Sequence, residues 1–118
     1  PAGLPPVSAD RNGLLHIFMN LASNSQRALR AVERRRLRVS VQVEKNRVMV
    51  RFADSGPGVA HPEGLFQPFQ QASDGTGLGL YLSRALARSF AGDLRYEPAV
   101  AGSCFVVELA TLGRDDSV

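Results

Sequence analysis

Residues 37–54 read "LRVSVQVEKNRVMVRFAD". Leu37, Val39, Val41 and Val43 alternate with polar residues, "EKNR" supplies a turn, and Val48, Val50 and Phe52 resume the alternation. A period of two on both sides of a polar turn predicts a β-hairpin, because successive strand side chains point to opposite faces. Upstream the period changes. Leu14, Leu15, Ile17, Phe18, Leu21, Ala22, Ala28, Leu29, Ala31 and Val32 form a stripe that predicts a helix from Gly13 to about Arg35. Asp10 or Ser8 stands where a cap would accept from the first-turn N–H groups. Within that helix Asn20, Ser23, Asn24, Ser25 and Arg27 are polar, and two asparagines are poor helix formers that ask for a reason.

Downstream, "ADSGPGVAHPEG" (53–64) is loop by its glycines and prolines, and "LFQPFQQA" (65–72) holds no more than a helical turn. Leu78, Leu82, Ala85, Leu86, Ser89 and Phe90 mark a second helix to about Ala91, with Gly92 as its C-cap. "DLRYE" and "SCFVVELA" are strands around a turn at 98–102, with Phe105, Val107 and Leu109 on one face. Two hairpins, each preceded by a helix, predict a two-layer α/β sandwich. Its sheet is mixed, mostly antiparallel, and covered on one face by helices. A doubly wound sheet is excluded, since strands do not alternate with helices.

The chain has 118 residues, enough for one domain with a modest core, and its first residue is Pro, which suggests excision from something longer. Residues 1–9 read as a lead-in and 111–118 as a tail. An apolar share of 44% and a charged share of 21% describe an ordinary globular domain, and no apolar run reaches the roughly 18 residues of a membrane span. Cys104 is the one cysteine, so no internal disulfide forms. With only His16 and His61 beside it, zinc is a poor expectation, and the usage is compatible with the cytosol. The net charge of +3 is concentrated in "RALRAVERRRLR" (27–38). That run reads either as an acidic-partner or nucleic-acid patch or, more plainly, as a solvated helix end.

Four polar islands carry the chemistry. Asn20 and Asn24, four apart, face one way; their amide oxygens suit Mg²⁺, and Arg27 could reach a phosphate. Asp54 ends a strand before Gly56 and Gly58, where a carboxylate can accept from an exocyclic amine and the glycines admit a flat ring. Phe66 and Phe69 could wall a pocket. Gly75, Gly77 and Gly79 precede a helix whose N–H groups favour anions. No Lys follows those glycines, so they form no Walker A loop, and no βαβ unit surrounds them.

Together these motifs resemble the ATP-binding catalytic domain of sensor histidine kinases, in the superfamily shared with type II topoisomerase, heat-shock chaperone and mismatch-repair ATPases. "LLHIFMNLASNSQRAL" resembles its Asn-box, "DSGPG" its first glycine box, "LFQPF" its Phe-box and "GTGLGL" its second glycine box, from about Leu4 to Leu109. The resemblance implies a Bergerat-type ATP-binding fold over residues 1–118, with nucleotide loops and a short lid at 53–79. It implies Asn24 as Mg²⁺ ligand, Asn20 beside the phosphates and metal-bound water, and Arg27 on the phosphates. Asp54 would take the adenine amino group, with Gly56 and Gly58 shaping that loop. Phe66 and Phe69 would brace the lid. Gly75, Thr76, Gly77 and Gly79 would line the triphosphate, with Leu78 and Leu80 anchoring the helix.

The hydrolytic branch of that superfamily carries a Glu four residues before the metal-binding Asn. Asn20 occupies that position here and cannot serve as a base near neutral pH, which favours phosphoryl transfer over hydrolysis. The resemblance implies ATP and Mg²⁺ as cofactors, in-line transfer to a histidine of an upstream dimerisation domain, and a response regulator beyond it. Neither His16 nor His61 is the expected acceptor. The isolated domain would be monomeric and cytoplasmic, and the full protein a homodimer, free or membrane-anchored, with no nucleic acid as partner. The stretch from Gln70 to Asp74 makes a short lid that lacks a basic residue, and no first strand precedes the Asn-box helix. A catalytically silent nucleotide-binding module that docks a kinase or response regulator is the alternative. A serine-kinase anti-sigma factor and an arginine-driven nucleic-acid binder stand further off.

Overall fold

The computed structural model describes residues 7, 9–30, 33, 35–56, 58, 64–67, 79–98 and 102–111. Their elements follow the predicted order: α1 (Arg11–Leu29), β1 (Leu37–Glu44), β2 (Arg47–Asp54), α2 (Gly79–Ser89), β3 (Asp93–Pro98) and β4 (Ser103–Ala110). The sheet order is β1-β2-β4-β3, and each of these pairings is antiparallel. Val7 adds an isolated antiparallel bridge to Thr111 at the position where a preceding strand was not legible.

Asp10 is the cap of α1. Its Oδ2 accepts from Gly13 N at 2.8 Å and its carbonyl from Leu14 N at 2.8 Å, satisfying two first-turn donors. The helix ends at Leu29 rather than near Arg35. Arg35 and Arg36 already lead into β1, where Arg36 exchanges bonds with Ser55: its N–H donates to Ser55 Oγ and its carbonyl accepts from Ser55 N, both at 2.9 Å. The arginine run is therefore not one helix end but is divided between α1, the connection and β1.

At the end of α2 the left-handed residue is Ala91 (φ 65), not Gly92. Ala91 N bonds to Arg88 O at 3.1 Å and Gly92 N to Ala87 O at 2.9 Å, the paired bonds of a Schellman cap. Gly92 is needed one place later for a different reason: a Cβ there would overlap the carbonyl oxygen of Glu108.

Both helices lie on one face of the sheet. Ile17 and Leu21 of α1 and Leu80 and Ala87 of α2 are buried against Val48, Val50, Phe52, Leu94, Phe105, Val107 and Leu109. The helices do not extend over the edge strand. Leu37, Val39, Val41 and Val43 point to the helix side, in register with Asp54, Phe52, Val50 and Val48, yet all four are exposed. The alternation that identified β1 thus marked a sheet face without marking burial. On the opposite face Met49, Cys104 and Val106 are buried beneath charged side chains. Arg95 Nη1 lies 2.6 Å from Glu108 Oε1, and Arg51 Nε 3.5 Å from Glu97 Oε1. Burial pushes the Cys104 thiol pKa up, helped by the Glu97 charge.

Candidate functional site

The helices run antiparallel, and small residues set how closely. A Cβ on Gly13 would lie 2.8 Å from Phe90 Cζ, so α1 begins against the end of α2. Seven residues further along α1, Asn20 Nδ2 donates to Ser83 Oγ at 2.9 Å. The end of α2 is tied to the start of β2 by Arg47 Nη1, which donates to Ala91 O at 2.7 Å. It follows that the second half of α1, the amino end of α2 and the carboxyl end of β2 all lie toward one end of the sheet. Asn20, Asn24, Arg27, Asp54, Gly56, Gly58, Gly79 and Leu80 gather there.

Asp54 is only 4% exposed. Its Oδ1 accepts from Gly56 N at 2.9 Å, a turn that fixes both the carboxylate and the loop leaving β2. Its Oδ2 is buried without a protein partner, and so are Ser25 Oγ and Arg27 Nε. These are the unmatched buried side-chain atoms among the described residues, and all three belong to this end of the molecule. Buried polar atoms are nearly always paired, so each of the three calls for a partner that the described side chains do not supply, whether water, an ion or a ligand.

The backbone around Asp54 is held by glycine. Gly102 (φ 99) approaches so closely that a side chain would overlap the Asp54 carbonyl, and a Cβ on Gly58 (φ 82) would lie 3.1 Å from Gly102 O. The β3–β4 turn therefore buttresses the loop after β2. Phe66 packs edge-on against Phe105, with ring centroids 6.4 Å apart at 82°. The Arg84 guanidinium carbon stands 4.7 Å from the Phe66 ring centroid.

This fold agrees with what comparison shows. Residues 9–112 match the family model described as "Histidine kinase-, DNA gyrase B-, and HSP90-like ATPase". The chain belongs to this family. Among curated relatives it is 31% identical over 112 residues to the C4-dicarboxylate transport sensor protein DctB of Rhizobium meliloti, covering 92% of this chain and 18% of that protein. It is 36% identical over 110 residues to the sensor protein TorS of Escherichia coli, covering 87% of this chain and 12% of that one. The chain thus spans less than a fifth of either relative. Among solved structures, the catalytic domain of histidine kinase ThkA superposes with a TM-score of 0.78 at 28% identity, covering 89% of this chain and 70% of that one. Full-length ShkA, solved in complex with AMPPNP, gives a TM-score of 0.76 at 30% identity, covering 93% of this chain and 24% of that one.

Within this histidine-kinase-like ATPase domain, four of the predicted site residues have resolved anchors. Asn20 is fixed by Ser83, Asp54 by Gly56, Gly58 by Gly102, and Phe66 by Phe105 and Arg84. Asn24 and Arg27 are half-buried on the same stretch of α1, and Gly79 and Leu80 open α2. Phe69, Gly75, Thr76, Gly77 and Leu78 lie outside the described residues, as does His61. His16 is exposed on α1. Sequence reasoning missed Ser83, Gly102 and Arg84, and it read Ser25 only as a polar helix residue. Ser25 had a signal: it continues the Ile17, Leu21 stripe at the next fourth position. Among the described residues no helix is long and apolar enough to cross a membrane.

Proposed function

We propose that this domain binds ATP with Mg²⁺ and transfers the γ-phosphoryl group to a histidine carried elsewhere in a longer two-component signalling kinase. The observation that carries the reading is the buried, unmatched Asp54 Oδ2 at the end of β2, beside a loop held open by Gly58 and Gly102. It is an acceptor in want of a donor, and the amino group of adenine is such a donor. A carboxylate fixed by one backbone bond and free at its other oxygen recognises an amine with little reorganisation.

The asparagines fit a hard cation. Asn20 Nδ2 is taken up by Ser83, which leaves its carbonyl oxygen to accept from a neighbouring water, and Asn24 stands one turn on. Mg²⁺ takes oxygen ligands and is commonly held by one or two side-chain oxygens together with phosphates and waters. Such a cation supplies neutralisation of charge on the phosphoryl oxygens. Asn24 is assigned as its ligand, Asn20 as the neighbour that orients water, and Arg27 as the phosphate contact. The family resemblance assigns Phe66 and Phe69 to bracing the lid. Gly79 and Leu80 open α2, and the family resemblance assigns them, with Gly75, Thr76, Gly77 and Leu78 before them in sequence, to the triphosphate. Asn20 takes no proton, so water is not activated from that position and the phosphoryl group passes to an imidazole nitrogen instead.

The test is a titration of ATP–Mg²⁺ into the domain by calorimetry, repeated with Asp54→Asn and Asn24→Ala. Asp54→Asn puts an amide N–H against the adenine amine and weakens binding by about a hundredfold. Asn24→Ala lowers the affinity in Mg²⁺ but not in EDTA. Addition of a dimerising helical hairpin that carries the acceptor should then yield acid-labile phosphohistidine. No ATP binding by the domain overturns the proposal, and binding without transfer assigns it to a catalytically silent nucleotide-binding module.

A further inference from the structure

β1 is an outer strand: among the described residues its strand neighbour is β2 alone. Outer strands are ordinarily guarded against further pairing by a proline, a bulge or a charge set on the apolar face. β1, "LRVSVQVE", carries none of these. Its register with β2 runs unbroken from Leu37 to Glu44, and its helix-side residues Leu37, Val39, Val41 and Val43 are between 37% and 51% exposed.

The ladder with β2 fixes which backbone groups are left over. Ser55 N donates to Arg36 O at 2.9 Å, so the Arg36 carbonyl points to β2. Alternation along an antiparallel strand turns the backbone groups of Arg38, Ser40, Gln42 and Glu44 the same way, and sends those of Leu37, Val39, Val41 and Val43 outward. The bond from Thr111 N to Asn46 O at 2.9 Å agrees, because it directs alternate positions of β2 to β4 and the intervening ones to β1. The free edge therefore offers donors and acceptors from the same residues that carry the exposed apolar side chains.

The other face of β1 carries a charge toward each end. Arg47, Arg51 and Arg95 on that face each lie against Glu108 or Glu97, whereas Arg38 and Glu44 form no ion pair among the described residues. Six residues apart on one strand, they stand about 20 Å from each other and do not meet within one chain.

We infer that β1 pairs with β1 of a second copy of this chain, antiparallel, about a two-fold axis at Val41. In that register Val41 faces Val41 of the second copy and Val39 faces Val43, joined through the outward backbone groups. Arg38 faces Glu44 on both sides of the axis, in the narrow pairs where side chains approach most closely. Moving the axis one place either way sets Arg38 against Gln42 or Glu44 against Ser40, so this register alone matches both charges of the strand. Two four-stranded sheets become one continuous sheet with its helices on a single face. Asp54, in register with Leu37, comes to lie toward opposite ends of that sheet in the two copies. The inference is independent of the nucleotide reading, and it departs from the monomer expected of the isolated domain.

One strand pair is a small interface, so sedimentation equilibrium of the chain should show a monomer–dimer equilibrium within about 10 µM to 1 mM. Arg38→Glu and Glu44→Arg each set like charges opposite one another twice, and each should weaken association about tenfold. An equimolar mixture of the two variants should regain it, because every charge then meets its opposite. A chain that stays monomeric throughout overturns the inference. So do single variants that associate undiminished, the sign of some other surface, or a mixture of folded variants that fails to recover. Should either variant melt lower than the chain, Val41→Lys, which sets two like charges at the axis, decides: lost association supports the pairing and undiminished association overturns it.

Discussion

Where β3 begins, Asp93 receives Arg88 at 3.0 Å and Arg84 at 3.9 Å, Glu108 receives Arg47 at 3.3 Å and Arg95 at 2.6 Å, and a Schellman cap closes α2. Where β2 stops, Asp54 Oδ2, Ser25 Oγ and Arg27 Nε are buried with nothing opposite them. The first end satisfies itself and holds the fold. The second leaves three buried polar atoms unmatched, the feature on which the proposed nucleotide site rests, and the fold bears their desolvation. Substitutions at the two ends should therefore move different observables.

The largest effect is expected where the ligand end depends on a close approach. Gly102→Ala has no room beside the Asp54 carbonyl and sits at a φ of 99 that disfavours a side chain. It should cost about 3 kcal/mol in denaturant unfolding and should weaken ATP binding as well. A loss of stability under 1 kcal/mol, as from an ordinary turn substitution, would mean that the β3–β4 turn does not buttress the Asp54 loop.

The self-satisfied end should respond in stability alone. Ala91 holds a left-handed conformation (φ 65) that glycine adopts without penalty. Ala91→Gly should raise stability by about 1 kcal/mol and leave nucleotide affinity unchanged. A matched change in affinity would blur the distinction between the ends.

The smallest effect is electrostatic. Burial alone would raise the Asp93 pKa, but the Leu94 N–H, the Arg88 bond and the charges of Arg88 and Arg84 together hold it below 3.8. A depressed folded-state pKa gives stability that is present above the unfolded value and is lost as pH falls through the folded one. Because the Asp93 side chain is 40% exposed, solvent screening keeps the contribution at about 0.5 kcal/mol. Asp93→Asn should lower the neutral-pH melting temperature slightly and should flatten the acid limb below pH 3.8. An acid limb identical to wild type would assign that loss to other carboxylates.

Much of the fold was legible because its signals are local. The Asp10 cap, both hairpins and the order of elements follow from spacing and turn chemistry within a few residues. The misread boundaries are those settled at long range. Ala31 to Arg35 suit a helix, yet the exchange of bonds between Arg36 and Ser55 draws the chain into β1. Gly92 suits a C-cap, yet its backbone lies so close to Glu108 that the cap falls one residue earlier, on Ala91. The site divides in the same way. Asn20, Asn24, Asp54, Gly56 and Gly58 stand in motifs, whereas Gly102 and Ser83 matter through residues some fifty or sixty positions away. Ser25 sits among polar neighbours that hide its phase with Ile17 and Leu21.

Arg84 touches both halves of the contrast. Its guanidinium lies on the Phe66 ring at 4.7 Å and reaches Asp93 at 3.9 Å. It acts as a strut between the aromatic turn and the first carboxylate of β3. Removing its charge drops an aromatic contact and an ion pair in one stroke, so the energies of the two ends do not add where Arg84 is involved. Any partition of this domain into a binding half and a structural half therefore has a shared term, and that term is a single side chain.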